Sequence, residues 1–125
     1  MKKRYIIRLH KIIRKAVEEK ARKEGLLLGT YLSSIIEETC ASIKNIANYQ
    51  MHPDSELFRL KRGNVLSGEI QNNASEQISI YLSDSAYITV GEIYNYLKQT
   101  LDKKITVSYI IQDMIYKKIT QKKEG

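Results

Sequence analysis

Apolar and polar positions alternate at the start of the chain, in KKRYIIRLHK. A period of two sends Tyr5, Ile7 and Leu9 to one face and Arg4, Ile6 and Arg8 to the other, which predicts a half-buried strand. The spacing then turns helical. In IIRKAVEEKARKEG, Ile13, Ala16, Val17, Lys20 (through its stem) and Ala21 share a side, with Glu18, Glu19, Arg22 and Lys23 outward. Glu18 and Glu19 precede Arg22 and Lys23 by one turn, a favourable order for ion pairs. Gly25 offers a left-handed stop. A second helix is predicted in LLLGTYLSSIIEETCASIKNI, lined by Leu28, Leu32, Ile35, Ile36, Thr39 and Ile43.

The middle of the chain, NYQMHPDSELFRLKRGNVLSGEIQNNASE, breaks the pattern with the sole proline, Pro53, among glycines, asparagines and serines, and reads as a connector. Within it ELFRLKR is a short helix or strand, and Leu57, Phe58 and Leu60 are expected to pin it to the core or to meet another copy of the chain. The opening pattern then returns. EQISIYLSD alternates, with Ile78, Ile80 and Leu82 opposite Gln77, Ser79 and Tyr81. VGEIYNYLKQTLDKK predicts a helix through Val90, Ile93, Tyr94, Leu97 and Leu101. ITVSYIIQDMIYKKIT predicts another through Val107, Ile111, Met114, Ile115 and Ile119. Laying LLGTYLSSII on TVSYIIQDMI puts Leu28 over Val107 and Leu32 over Ile111, and leaves six extra residues in the second half, expected in SDSAYIT. The expected division is a first strand-helix-helix unit over 1–48, a connector over 49–75 and a second unit over 76–122.

A chain of 125 residues with 42% hydrophobic and 28% charged residues is the size of one modest domain or two very small units sharing a core. No apolar run approaches a membrane span and no signal-peptide region follows the basic start, so no membrane partner is expected. The single cysteine, Cys40, excludes an internal disulfide, and a cytoplasmic location is expected. The net charge of +7 points to an anionic partner, and its placement narrows the choice. Residues 1–15 hold Lys2, Lys3, Arg4, Arg8, Lys11, Arg14 and Lys15 without one acid, whereas residues 51–76 are close to neutral. His10 and His52 are too few and too scattered for a metal site, and no phosphate-binding glycine loop or nucleophile motif occurs; neither a cofactor nor an enzymatic activity is expected. Cys40 reads as a small buried thiol, and Tyr94, Tyr96, Tyr109 and Tyr116 as core or interface residues.

RYIIRLHK, AVEEKARKEG and LGTYLSSII in the first half, with QISIYLSD and ITVSYIIQDMI in the second, resemble the ribbon-helix-helix family of DNA-binding repressors. The tandem, single-chain form is similar to transcriptional regulators of archaeal viruses of the AvtR type. Two departures stand out. His10 and Ser83 occupy the place after the strand where family members often carry proline. Leu27 stands where a Ser or Thr cap is favoured, a place Thr106 fills in the second half; the first half begins its second helix less rigidly or caps it through Thr30.

The resemblance implies a mainly α fold with a short two-stranded antiparallel ribbon, in which residues 3–10 pair with residues 77–83 above four interlocked helices. Such a ribbon fits the major groove of B-DNA, about 12 Å wide. Its outward residues, Arg4, Ile6, Arg8, Gln77, Ser79 and Tyr81, are then the base readers. Arginine suits guanine and glutamine suits adenine. Tyr81 fits sugar or phosphate better. Phosphates are expected at the N-termini of the second helices, Gly29 and Thr30, and Thr106 and Ser108, with Lys3, Lys11 and Lys104 in support. A solvated strand whose arginines only deter edge-to-edge pairing shows the same alternation. The returning pattern and the charge placement favour a DNA-reading regulator, most simply a repressor, that self-associates on double-stranded promoter DNA. An antitoxin of the same fold is the alternative, although only KITQKKEG remains for a partner-binding tail.

Overall fold

In the computed structural model, which describes residues 2–58, 75–101 and 105–120, the opening alternation becomes strand β1, Lys3–His10. Ile7 and Leu9 are fully buried, Tyr5 is half-buried, and Arg4, Ile6 and Arg8 are exposed. β1 pairs antiparallel with β2, Ser75–Leu82, from Lys3 opposite Leu82 to His10 opposite Ser75. The second strand starts two residues before the expected 77–83 and ends one sooner. From Arg4 to Leu9 and from Gln77 to Leu82, each side chain keeps the face its parity assigns.

Helix α1, Lys11–Lys23, follows the strand directly and buries Ile13, Val17 and Ala21. Its apolar stripe is narrower than the spacing implied, for Ala16 is half-buried and Lys20 is exposed. Glu18 pairs with Arg14, 3.4 Å away. The turn after the helix is made at Gly25, whose φ of 69° is a conformation other residues rarely adopt. The Gly25 N–H donates to Arg22 O (3.1 Å) and the Leu26 N–H to Ala21 O (2.9 Å), so the turn satisfies carbonyls that the helix end leaves open.

Helix α2, Leu28–Ser42, buries Tyr31, Leu32, Ile35, Ile36 and Cys40. Helix α3, Asp84–Thr100, begins immediately after β2, which corrects the expectation of an insertion at residues 83–89. The six extra residues lie further on. α3 has 17 residues against 13 in α1, and the link from Thr100 to Val107 is longer than that from Lys23 to Leu28. Helix α4, Val107–Thr120, starts where the spacing placed it. The described residues are thus mainly helical, with one two-stranded antiparallel sheet and two short 3-10 helices, Ile46–Asn48 and Pro53–Phe58.

One hydrophobic cluster joins all six elements, through Leu9, Val17, Ile36, Ile80, Val90 and Ile111 among others. The helices are interlocked: α2 packs chiefly against β2, while α4 packs against α2 and, to a similar extent, against β1, α1 and α3. Both strands of a two-stranded ribbon are edges, with alternate N–H groups directed away from the ladder. Here α2 and α4 supply the acceptors. The Tyr81 N–H donates to Ser33 Oγ (3.1 Å) and the Ser83 N–H to Glu37 Oε2 (2.6 Å). On the other edge the Arg8 N–H donates to Ser108 Oγ (3.2 Å) and the His10 N–H to Gln112 Oε1 (2.6 Å). Each helix thus offers two polar side chains one turn apart to the strand it covers, and pairs two outward N–H groups on each side of the ribbon.

The start of the connector folds back on α4 around a fully buried carboxylate, Asp113. It accepts from Tyr49 Oη (2.6 Å), Ser55 Oγ (2.6 Å) and the His52 N–H (2.8 Å), with Lys117 Nζ 3.0 Å away. Lys117 also donates to Gln50 O and lies over the Tyr49 ring, 4.1 Å from its centre. Among the described residues this polar cluster fastens the connector; Leu60 and the side chains of Leu57 and Phe58, expected in that role, lie outside them.

Candidate nucleic-acid interface

The antiparallel register assembles the six residues expected to read bases. Arg4 stands opposite Tyr81, Ile6 opposite Ser79 and Arg8 opposite Gln77. The pairs lie on one face, because pairing partners in an antiparallel ladder point the same way. Arg4, Ile6, Arg8, Gln77 and Tyr81 are exposed and Ser79 is half-buried. Ile6 is 55% and Tyr81 50% exposed, on a sheet whose other face forms the core. The face therefore carries two cations, an amide, a hydroxyl, a phenol and an aliphatic group, without an acidic side chain among these six.

Arg4 is not extended freely. Its Nε and Nη2 both donate to Ser79 Oγ, at 3.2 and 3.0 Å, diagonally across the ladder. At the same end of the ribbon, Tyr5 and Tyr87 bring their ring centres to 5.2 Å and Lys3 Nζ lies 5.2 Å above the Tyr87 ring. Burial and the neighbouring Tyr87 raise the Tyr5 phenol above its ordinary pKa.

The N-termini of α2 and α4 flank the ribbon, one beside each strand. Gly29 comes so close to β2 that a Cβ there would stand 3.2 Å from Ser79 O, a tight contact that a larger residue could make only with a small shift. α2 starts after Leu27 without a side-chain cap, so Thr30 belongs to its first turn and does not cap it. The N–H groups of Leu28, Gly29 and Thr30 precede the first intrahelical bond, from the Tyr31 N–H to Leu27 O (2.9 Å). With Lys2, Ser33, Ser34, Glu37 and Tyr81, Gly29 and Thr30 line a groove that therefore holds one carboxylate beside one ammonium. The α4 end differs. Thr106 Oγ1 accepts from the Tyr109 N–H (3.1 Å) as a cap, and Ser108 Oγ holds the β1 edge. Both hydroxyls thus accept a hydrogen bond within the protein, which leaves donation from their O–H to a phosphate open. Lys3 and Lys11 are exposed at opposite ends of β1, and Lys104 lies outside the described residues.

Ser33, Glu37, Gln112 and Asp113 had no place in the sequence-based site. Their only signal was polarity inside apolar helical stretches, in YLSSIIEE and YIIQDMI. Glu37 also accepts from Ser83 Oγ (2.7 Å), so its charge is directed at the strand end. Cys40 is 7% exposed; burial, with Glu37 nearby, pushes its thiol up to about 11, far from a thiolate nucleophile at neutral pH. No group of three or more metal-ligating side chains occurs among the described residues, and none of their helices is long and apolar enough to cross a membrane. No protein-family model, curated protein or solved structure matches the chain.

Proposed function

We propose that the chain is a sequence-specific regulator of transcription that binds double-stranded DNA, built from two tandem ribbon-helix-helix motifs paired within one molecule. The observation that carries this reading is the assembly of Arg4, Ile6, Arg8, Gln77, Ser79 and Tyr81 as three cross-strand pairs on the one ribbon face turned from the core. The shift that lays His10 on Ser83, each the cap of the following helix, lays Arg4 on Gln77, Ile6 on Ser79 and Arg8 on Tyr81. Ile6 also faces Ser79 in the ladder, so this correspondence is the one that a pseudo-two-fold axis through that pair would produce. This supports an intrachain pseudo-dimer.

Strands spaced about 4.8 Å apart make a ribbon narrow enough for a major groove about 12 Å wide. The arginines and Gln77 then address base edges, and Ile6 a thymine methyl. Backbone N–H groups at Gly29 and Thr30, with Lys3 and Lys11, hold phosphates and fix the register. Occupation of a promoter would repress it, and further copies can bind half-sites one helical turn away.

The test is a binding titration with duplex DNA from upstream of the protein's own gene, repeated across a salt series and against unrelated duplex. Preference for the upstream DNA is expected, with log affinity falling linearly against log salt. Equal affinity for unrelated duplex, or no binding, overturns the assignment.

A further inference from the structure

We infer that Ser79 is a positioning residue for Arg4, fixing which edge of the guanidinium is offered to DNA and drawing it toward the middle of the ribbon, where it selects one guanine. This rests on the DNA-binding reading above.

The guanidinium is a planar fork of five N–H donors. Ser79 Oγ accepts from Nε (3.2 Å) and from Nη2 (3.0 Å), which occupies the side edge of the fork. The end edge, one N–H on Nη1 and the remaining one on Nη2, stays available. Those two parallel donors match the O6 and N7 acceptors of guanine. Ser79 therefore leaves the bidentate donor pair intact while it holds the plane.

Position follows from the register. Arg4 faces Tyr81, near one end of the ladder, whereas Ser79 faces Ile6 at its middle. The bond pulls the head of a long side chain diagonally inward. Ser79 is equally diagonal to Arg8, which faces Gln77, yet its oxygen is committed to Arg4. The pseudo-two-fold relation, already unequal where it exchanges Arg4 with Gln77 and Arg8 with Tyr81, is thus broken at the centre as well, where it exchanges Ile6 with Ser79. A bound site is expected to carry a guanine near its middle on one strand only, a non-palindromic feature within a roughly symmetric footprint. Ordering a long side chain before binding removes an entropic cost worth about a two- to tenfold factor in discrimination.

Selection from a randomised duplex library, with the full chain and its Arg4→Ala, Ser79→Ala and Ser79→Thr variants, tests this. Thermal midpoints of the variants confirm that each is folded. The unmodified chain should enrich a motif with one guanine whose preference disappears in Arg4→Ala. Ser79→Ala should weaken preference for that same guanine by about two- to tenfold, with other positions and the salt slope unchanged. Ser79→Thr, which keeps the acceptor, should restore it. A merely structural serine would change affinity without changing preference at one base pair. Full preference in Ser79→Ala, a change at a different base pair, or Ser79→Thr behaving like Ser79→Ala overturns the inference, as does a motif with no Arg4-dependent guanine. These outcomes leave DNA binding standing. Failure of the unmodified chain to enrich any motif overturns the DNA-binding reading as well.

Discussion

Asp113 is a fully buried carboxylate in a helix whose neighbours Ile111, Met114 and Ile115 belong to the core. Burying a charge is costly unless hydrogen bonds and a counter-charge replace the lost water. Tyr49, Ser55, the His52 N–H and Lys117 do so here, and in turn their positions depend on the carboxylate. Burial first, and Asp113 second, raise the Tyr49 phenol well above its ordinary pKa, so it remains a donor at any physiological pH. Asp113→Ala would leave two hydroxyls without their acceptor and a small cavity. It should lower unfolding free energy by about 3 kcal/mol, most of it from the buried hydroxyls and little from the partly exposed Lys117. Urea denaturation measures the loss, and an unchanged midpoint would contradict this account of the connector.

Among the elements, the junctions between strand and helix carry the most information. His10 and Ser83 are extended residues whose side chains cap the helices that follow. His10 Nδ1 accepts from the Ile12 N–H (3.2 Å) and Ser83 Oγ from the Ala86 N–H (3.2 Å). The serine, followed by Asp84 in the first turn, is an ordinary helix start. The run SDSAYIT, where the extra residues were expected, instead forms the cap and first turns of α3. The histidine cap makes one end of the fold titratable. Burial lowers the His10 pKa below its ordinary 6.5, so the unfolded chain takes up a proton before the folded one does. The stability tied to neutral His10 is complete above pH 6.5 and declines as the pH falls below it. Thermal midpoints at pH 7 and pH 5 should show His10→Ser, which keeps a cap, to be less acid-sensitive than the unmodified chain. An identical acid shift in both would exclude His10 as a source.

For the molecule as a whole, each half completes the other. α2 covers β2 and α4 covers β1, so neither half can bury its strand or satisfy the outer N–H groups by itself. Pairing within one chain predicts a folded monomer. Sedimentation at low micromolar concentration, with a thermal midpoint independent of concentration, checks it; a midpoint that rises with concentration would indicate pairing between chains. The two ribbon strands also differ in chemistry, with both arginines on β1. On the proposed DNA-binding reading, Arg8→Ala should reduce affinity for duplex by about 1–3 kcal/mol, more than Ser79→Ala, whose hydroxyl is bonded to Arg4. Equal losses in a titration against the preferred duplex would count against a reader dominated by β1.

The sequence by itself determined the periodicities: the parity of both strands, the apolar stripes of the second helices, the glycine turn at Gly25 and the cationic face of β1. These are local quantities, set by which residue follows which, and a period of two or 3.6 survives without knowledge of any partner. Gln112, Asp113, Glu37 and Ser33 were illegible for the opposite reason. Each is polar in an apolar stretch, and whether such a side chain meets water, a strand edge or a connector depends on segments distant along the chain. Only the tertiary structure decided that Arg4 bonds to Ser79, because a register fixed by the whole core brings those two residues across the ribbon to within 3.0 Å.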